Sequence, residues 1–233
     1  MARKALAVPT LLACLGLLAC FELEEPALPG DGKPDSWTVD PTDDGLEAIV
    51  DAALEMAAER GWSRVHLHEI AAGLDVSLAE INACFAEKDD IGNAVLARGD
   101  AAMLMAADIE GYRDLPPPER LEAAMMAWFK VLTPHKRAVR AILGYKLRLA
   151  HVHLMAALVV RLSRTVQWLR EVTLLGATGR RQQMQAVGLS VLFCSPVICW
   201  LGESASADER TRTFLRRRLA PPARPTGRPL PPN

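Results

Sequence analysis

Residues 43–88 read DDGLEAIVDAALEMAAERGWSRVHLHEIAAGLDVSLAEINACFAEK, and the spacing of their apolar side chains decides the fold. Asp43 or Asp44 is placed to cap a helix in which Leu46, Ile49, Val50, Ala53, Leu54 and Ala57 recur three and four apart, until Gly61 supplies the stop. After Trp62 and Ser63, residues 65–74 put Leu67, Ile70, Ala71 and Leu74 on one face. Asp75-Val76 forms a short turn, and Ser77 caps a third helix that reaches Phe85. The spacing thus predicts three short helices joined by tight turns.

Outward from this segment the chain keeps the same class. Half of its 233 residues are hydrophobic, enough for a substantial core, and no alternation of Val, Ile and Thr at strand length stands out, so the class is all-α. Ile91 to Tyr112 predicts a long connecting helix, ended by the loop at Pro116-Pro117-Pro118. Glu119 opens a further helix that Pro134 stops, and helical patterns follow over Lys136–Leu149, His151–Leu175, Arg180–Leu201 and Ala207–Leu219. The expected organisation is a signal-like segment and linker over 1–42, the helix-turn-helix module over 43–98, a helical ligand-binding and dimerisation body over 99–220, and a disordered tail over 221–233 that holds six prolines.

Several short stretches of the module, Ala52-Ala53-Leu54, Glu59-Arg60-Gly61-Trp62, Ile70-Ala71-Ala72, Val76-Ser77 and Phe85 with Lys88, resemble the DNA-binding region of the TetR family, in register and without a gap. The resemblance implies an N-terminal three-helix module on a helical bundle, a homodimer, and a transcriptional regulator that responds to a small apolar ligand. The candidate DNA-binding residues are Arg64, His66, Ser77, Leu78, Ala79, Asn82 and Lys88. Asn82 suits adenine, and Lys88 suits a phosphate at the start of the fourth helix. Where the family often has a Lys, a Gly, a Tyr and a His on the exposed side, this chain has Leu78, Ala79, Asn82 and Cys84, with acidic Glu80 among them. The competing reading is a silent helix-turn-helix kept as a packing unit.

A net charge of −1 conceals an asymmetry: Asp43 to Arg98 holds 12 acidic and 4 basic side chains, whereas Arg120 to Asn233 holds 5 acidic and 19 basic ones. Different surfaces for different partners are expected. On the last helix Arg212, Arg216, Arg217 and Arg218 interleave with Phe214, Leu215 and Leu219, a pattern suited either to an anionic membrane surface or to a solvated basic face. The segment Val197-Ile198-Cys199-Trp200-Leu201 followed by 204–219 resembles the TetR-like lipid-binding accessory proteins of ubiquinone biosynthesis. That resemblance implies an alternative function, lipid or isoprenoid binding at the membrane with DNA binding given up.

Val187 to Leu201 is apolar on nearly every side, which predicts a helix enclosed by others or by a second subunit, because Pro196 and its short length argue against a membrane span. The TetR resemblance puts the dimer interface on the segments 180–201 and 207–219. Met125, Trp128, Phe129, Leu143, Met155, Trp168 and Trp200 are the candidate lining of a pocket for an apolar ligand or lipid, against the simpler reading of core packing.

At the N-terminus, Arg3 and Lys4 precede an apolar stretch ending in Leu17-Leu18-Ala19-Cys20, which resembles a bacterial lipoprotein signal with Cys20 as the lipidated residue. Such an anchor conflicts with a cytoplasmic helix-turn-helix. A translation start later than Met1, for example near Val39, reconciles the two and keeps the expected location cytoplasmic, with a membrane-anchored lipoprotein as the alternative.

No enzyme is expected. His66 and His68 are two apart, as are His151 and His153, so neither pair shares a helical face, and His68-Glu69 lacks the second His of a zinc helix motif. No two cysteines have the two-residue gap of a redox or zinc motif, and glycine-rich phosphate loop, nucleophile elbow and paired catalytic carboxylates are missing. Neither a metal nor a cofactor is predicted.

Overall fold

The computed structural model describes residues 44–148, 151–176, 180–202 and 208–219. Among them are nine α-helices and no strand: α1 Asp44–Arg60, α2 Leu67–Leu74, α3 Leu78–Cys84, α4 Lys88–Met105, α5 Pro117–Leu132, α6 Lys136–Lys146, α7 Val152–Val172, α8 Arg180–Gly202 and α9 Asp208–Leu219. The all-α class and the helix-turn-helix followed by a helical bundle stand as read from the sequence. Cys20, the linker and the proline-rich tail lie outside the described residues.

Local chemistry sets the ends of the short helices. Gly61, at φ 85°, occupies a conformation that favours glycine, and it leads into a 3₁₀ turn at Trp62–Arg64. Ser77 and Glu80 form a reciprocal cap on α3: the Ser77 hydroxyl accepts from the Glu80 N–H at 3.2 Å, and the Glu80 carboxylate accepts from the Ser77 N–H at 2.8 Å. These bonds hold the Glu80 carboxyl below its ordinary range. Three α1 residues from the sequence stripe, Val50, Ala53 and Leu54, pack with Trp62, Ile70, Ile81 and Phe85 to close the module's core.

The connecting helix is shorter than its apolar pattern suggests. α4 ends at Met105, and 3₁₀ turns at Ala106–Asp108 and Tyr112–Asp114 replace its expected last turns. Gly111 takes φ 78°, and the Tyr112 hydroxyl donates to the Arg120 carbonyl at 3.1 Å, so the chain folds back onto α5. α4 lies centrally, packed on α1 in the module and on α5, α6 and α7 in the body. Its approach to α5 needs glycine: a Cβ at Gly99 would sit 2.6 Å from Trp128 Nε1.

Two buried ionic clusters hang from α4. At its first turn Asp89 accepts from Lys146 Nζ at 2.5 Å; this fully buried ammonium also donates to Asn93 Oδ1 at 3.0 Å, tying α4 to α6. Further along, Asp100 meets Arg161 of α7 at 2.6 Å and accepts from Trp128 Nε1 of α5 and Thr165 Oγ1 of α7 at 3.1 and 3.0 Å.

Candidate DNA interface and effector cavity

The face of α3 turned to solvent is the one the sequence singles out. Ser77, Leu78, Ala79 and Asn82 are exposed, Leu78 at 52%, while Ile81 and Phe85 point into the core. An exposed leucine and alanines beside one asparagine suit thymine methyl groups and an adenine edge more than phosphate. Arg64 and His66 are exposed just ahead of α2. His66 stacks on His68, ring centroids 5.4 Å apart, because it sits at the extended N-cap of α2 rather than inside the helix; the argument from helical spacing misses this pairing. Among the described residues no group of three His, Cys, Asp or Glu side chains is arranged to hold a metal ion.

Lys88 opens α4 where expected, but its side chain does other work. The ammonium donates to the carbonyls of Trp62 and Val65 at 3.0 and 3.1 Å and stands 5.4 and 5.2 Å from the ring centroids of Trp62 and Tyr145. Desolvation at this site lowers its pKa from the ordinary lysine value. The carbonyls at the 3₁₀ turn draw it inward, so Lys88 fixes the junction of module and body instead of presenting its charge on the α3 face. Arg60 pairs with Glu69 at 2.9 Å, and Arg98 pairs with Glu47 and, at 2.7 Å, with Asp51. Of the module's four basic groups, Arg60 and Arg64 are exposed, and Arg64 makes no ion pair among the described residues.

An apolar cavity of about 120 Å³ lies between α4, α5, α6, α7 and α8. A void of this order, roughly the size that accepts benzene, holds a small apolar molecule. Of the seven sequence candidates it brings together Trp128, Leu143 and Met155. Met125, Phe129 and Trp200 are instead fully buried in the adjoining core, where the indole of Trp200 donates to Thr133 Oγ1 at 3.3 Å. Trp168 is corrected outright: it is 51% exposed on α7, because Leu169 and Val166 take the inward positions of that turn. The sequence reading missed Arg161 and Thr165, the polar edge of the cavity, and Cys194. Arg161 and Thr165 stand four apart on the same helical stripe as Leu158, Leu162 and Leu169, the one signal that would have found them. Burial pushes the Cys194 thiol up to about 12, so it lines the cavity as a neutral, apolar group.

The basic last helix turns its apolar side inward. Thr211 and Leu215 are fully buried, Arg216 bonds Glu122 of α5 at 2.8 and 2.9 Å, Arg212 approaches the same carboxylate at 4.0 Å, and Arg218 lies over Phe214. Arg217 stays exposed. Leu215 and Leu219 thus pack into the core beside α5 and α8, which leaves Phe214, under Arg218, as the one apolar side chain of this helix outside it.

Among the described residues helix α8 alone is long and apolar enough, by length and composition, to cross a membrane, but it packs on α7 and α9 and buries Leu189, Phe193, Cys194 and Trp200. Its outer face carries Met184, Val187, Gly188 and Val191 at three-and-four spacing, with Met184 76% exposed.

Comparison with known proteins agrees with this geometry. The model of the bacterial regulatory proteins, tetR family, matches residues 49–95, which span the helix-turn-helix and the first half of α4. The structure of the TetR transcriptional regulator from Nitrosomonas europaea ATCC 19718 is similar over 76% of this chain and 97% of its own, with 35% identity and a TM-score of 0.67. A bacterial regulatory protein in the tetR family from Rhodococcus RHA1 is a more distant likeness, at 19% identity over 77% of this chain and 98% of its own, with a TM-score of 0.46. No curated protein matches the chain. With 35% identity over three quarters of the chain and nearly the whole of the Nitrosomonas regulator, and with a helix-turn-helix in the matching place, the chain belongs to the TetR family of DNA-binding transcriptional regulators, which are not enzymes.

Proposed function

We propose that this regulator is a cytoplasmic homodimer that reads a pseudo-palindromic operator through α2 and α3 and is controlled by a small apolar effector held in the body. The observation that carries the reading is the position of α4. Its first turn follows the recognition helix directly, and its middle borders the cavity through Leu96 and bonds Arg161 and Thr165 of the cavity edge through Asp100. A ligand that reshapes this edge acts on the helix that carries the module.

On the DNA side, Asn82 pairs with an adenine, Leu78 and Ala79 meet thymine methyl groups, and Ser77, Arg64 and His66 bond the flanking backbone. An α3 face of this composition favours A·T pairs at the contacted positions. The exposed apolar stripe of α8, with α9 beside it, supports dimerisation, since a row of four small or apolar residues at helical spacing asks for a covering partner.

The test is selection of duplexes from a randomised pool by the full chain. The reading predicts an enriched sequence with two inverted half-sites, A·T-rich at their centres and spaced by about one helical turn. Recovery of unenriched sequence at every round contradicts it.

A further inference from the structure

The module is short of free positive charge, and the body supplies it beside the 3₁₀ turn that leads into α2. α6 presents Arg137 and Arg140 on one exposed face, Arg148 is exposed two residues past its end, and Gly144 between them adds no side chain. These arginines, with Gly61, Trp62, Ser63 and Tyr145, line an open groove of about 380 Å³ whose lining contains no carboxylate. Arg140 donates to the Leu201 carbonyl at 3.3 Å and Arg148 lies 5.7 Å from the Tyr145 ring centroid, but none of the three arginines makes an ion pair among the described residues. Arg64, the residue after Ser63, is likewise exposed and unpaired among them. Four guanidiniums thus stand around one edge of the junction, while Arg60, Lys88 and Arg98 of the module are engaged internally.

We propose that the groove between α6 and the Gly61-Trp62-Ser63 turn is a phosphate-binding site, and that it grips the backbone of the DNA flanking each half-site. The proposal rests on the DNA-binding reading above. An acidic module with an almost neutral recognition face needs phosphate contacts from elsewhere, because the affinity of proteins for DNA derives largely from counterion release by Lys and Arg. Guanidinium groups match phosphate oxygens in a fork geometry, and the absence of a competing carboxylate leaves them available. Lys88 contributes indirectly: its bonds to Trp62 and Val65 and its place beside Tyr145 hold both walls of the groove together. The contact is sequence-independent, so it raises affinity for operator and random DNA alike.

The experiment is a duplex titration at several salt concentrations with the full chain, the variant Arg137→Gln/Arg140→Gln/Arg148→Gln, and a charge-matched control, Arg210→Gln/Arg217→Gln/Arg218→Gln. All six positions are exposed, and thermal unfolding checks that both variants fold. The α6 variant is expected to lose at least about tenfold in affinity at moderate salt and to lower the magnitude of the log–log salt slope by about 0.9 for each phosphate contact removed, with base preference unchanged. The control is expected to follow the unmodified protein. Equal slopes for all three proteins overturn the groove as a phosphate site while leaving operator recognition standing. No duplex binding by the unmodified chain overturns both.

Discussion

Asp100 of α4 and Arg161 of α7 form a 2.6 Å ion pair whose arginine also borders the apolar cavity. Trp128 and Thr165 donate to the same carboxylate, so α4, α5 and α7 share one buried group. Desolvation raises the pKa of Asp100 above the ordinary aspartate value, and the nearby Arg161 charge pulls the other way. Such a cluster costs stability to assemble and is strongly sensitive to the loss of either partner.

Breaking the pair is therefore expected to be expensive. Asp100→Leu leaves a mostly buried guanidinium without its partner and should cost about 3–5 kcal/mol in denaturant unfolding. Adding Arg161→Met should recover part of that loss. Two independent, additive penalties would show that the pair is not coupled.

The same group gives a pH dependence with a defined sign. The folded protein holds the Asp100 proton more tightly than the unfolded chain, so it binds more protons in the window between the two pKa values. From the ordinary aspartate pKa, about 3.9, up through the raised folded value, this group makes stability fall as pH rises. Comparison of unfolding free energies across that window should show a flatter profile in Asp100→Asn, and an identical profile would refute the assignment.

Gly99→Ala should destabilise by about 1–3 kcal/mol, because the added Cβ meets the Trp128 indole at 2.6–2.8 Å and α4 must move away from α5. Near-ultraviolet circular dichroism, which reads tryptophan environments, should change with it. Gly144→Ala on α6, where nothing lies within 4 Å of the new Cβ, serves as the silent comparison.

Lys88→Met removes two hydrogen bonds to backbone carbonyls and should lower stability by about 1–3 kcal/mol. If Lys88 instead met phosphate directly, the substitution would leave stability intact and reduce the salt slope of DNA binding.

These expectations show where sequence reading reaches and where it stops. The module was legible because its information is local: three-and-four spacing gives the buried stripe from Ile49 to Ala57, and Ser77 with Glu80 carries a capping box in four residues. Glu80, read as an acidic intrusion on the recognition helix, is that cap's second half. The cavity was half legible. Trp128, Leu143 and Met155 were found, but one apolar stripe cannot say which of its residues face a void and which face other side chains, and Phe129 and Trp200 went to the core. The ion pairs of Asp89 with Lys146 and Asp100 with Arg161 join residues 57 and 61 apart, a distance no periodicity reports. The sequence puts Lys88 at the start of α4 but not the direction of its side chain, whose partners are backbone carbonyls present at every position.

Effector control is open to a steric test. Met155→Trp should fill part of the cavity, abolish release from DNA by small apolar compounds and leave operator affinity unchanged. Release that persists unaltered would place the effector elsewhere.

The central claim, sequence-specific DNA binding through α3, is tested most directly by titrating the full chain against its selected operator and a scrambled duplex, with Asn82→Ala alongside. The account predicts operator binding tighter than scrambled by about 10³-fold or more, with Asn82→Ala losing about 1–3 kcal/mol and its preference confined to one position per half-site. Equal affinity for both duplexes, or an Asn82→Ala protein that discriminates as well as the parent, would contradict it.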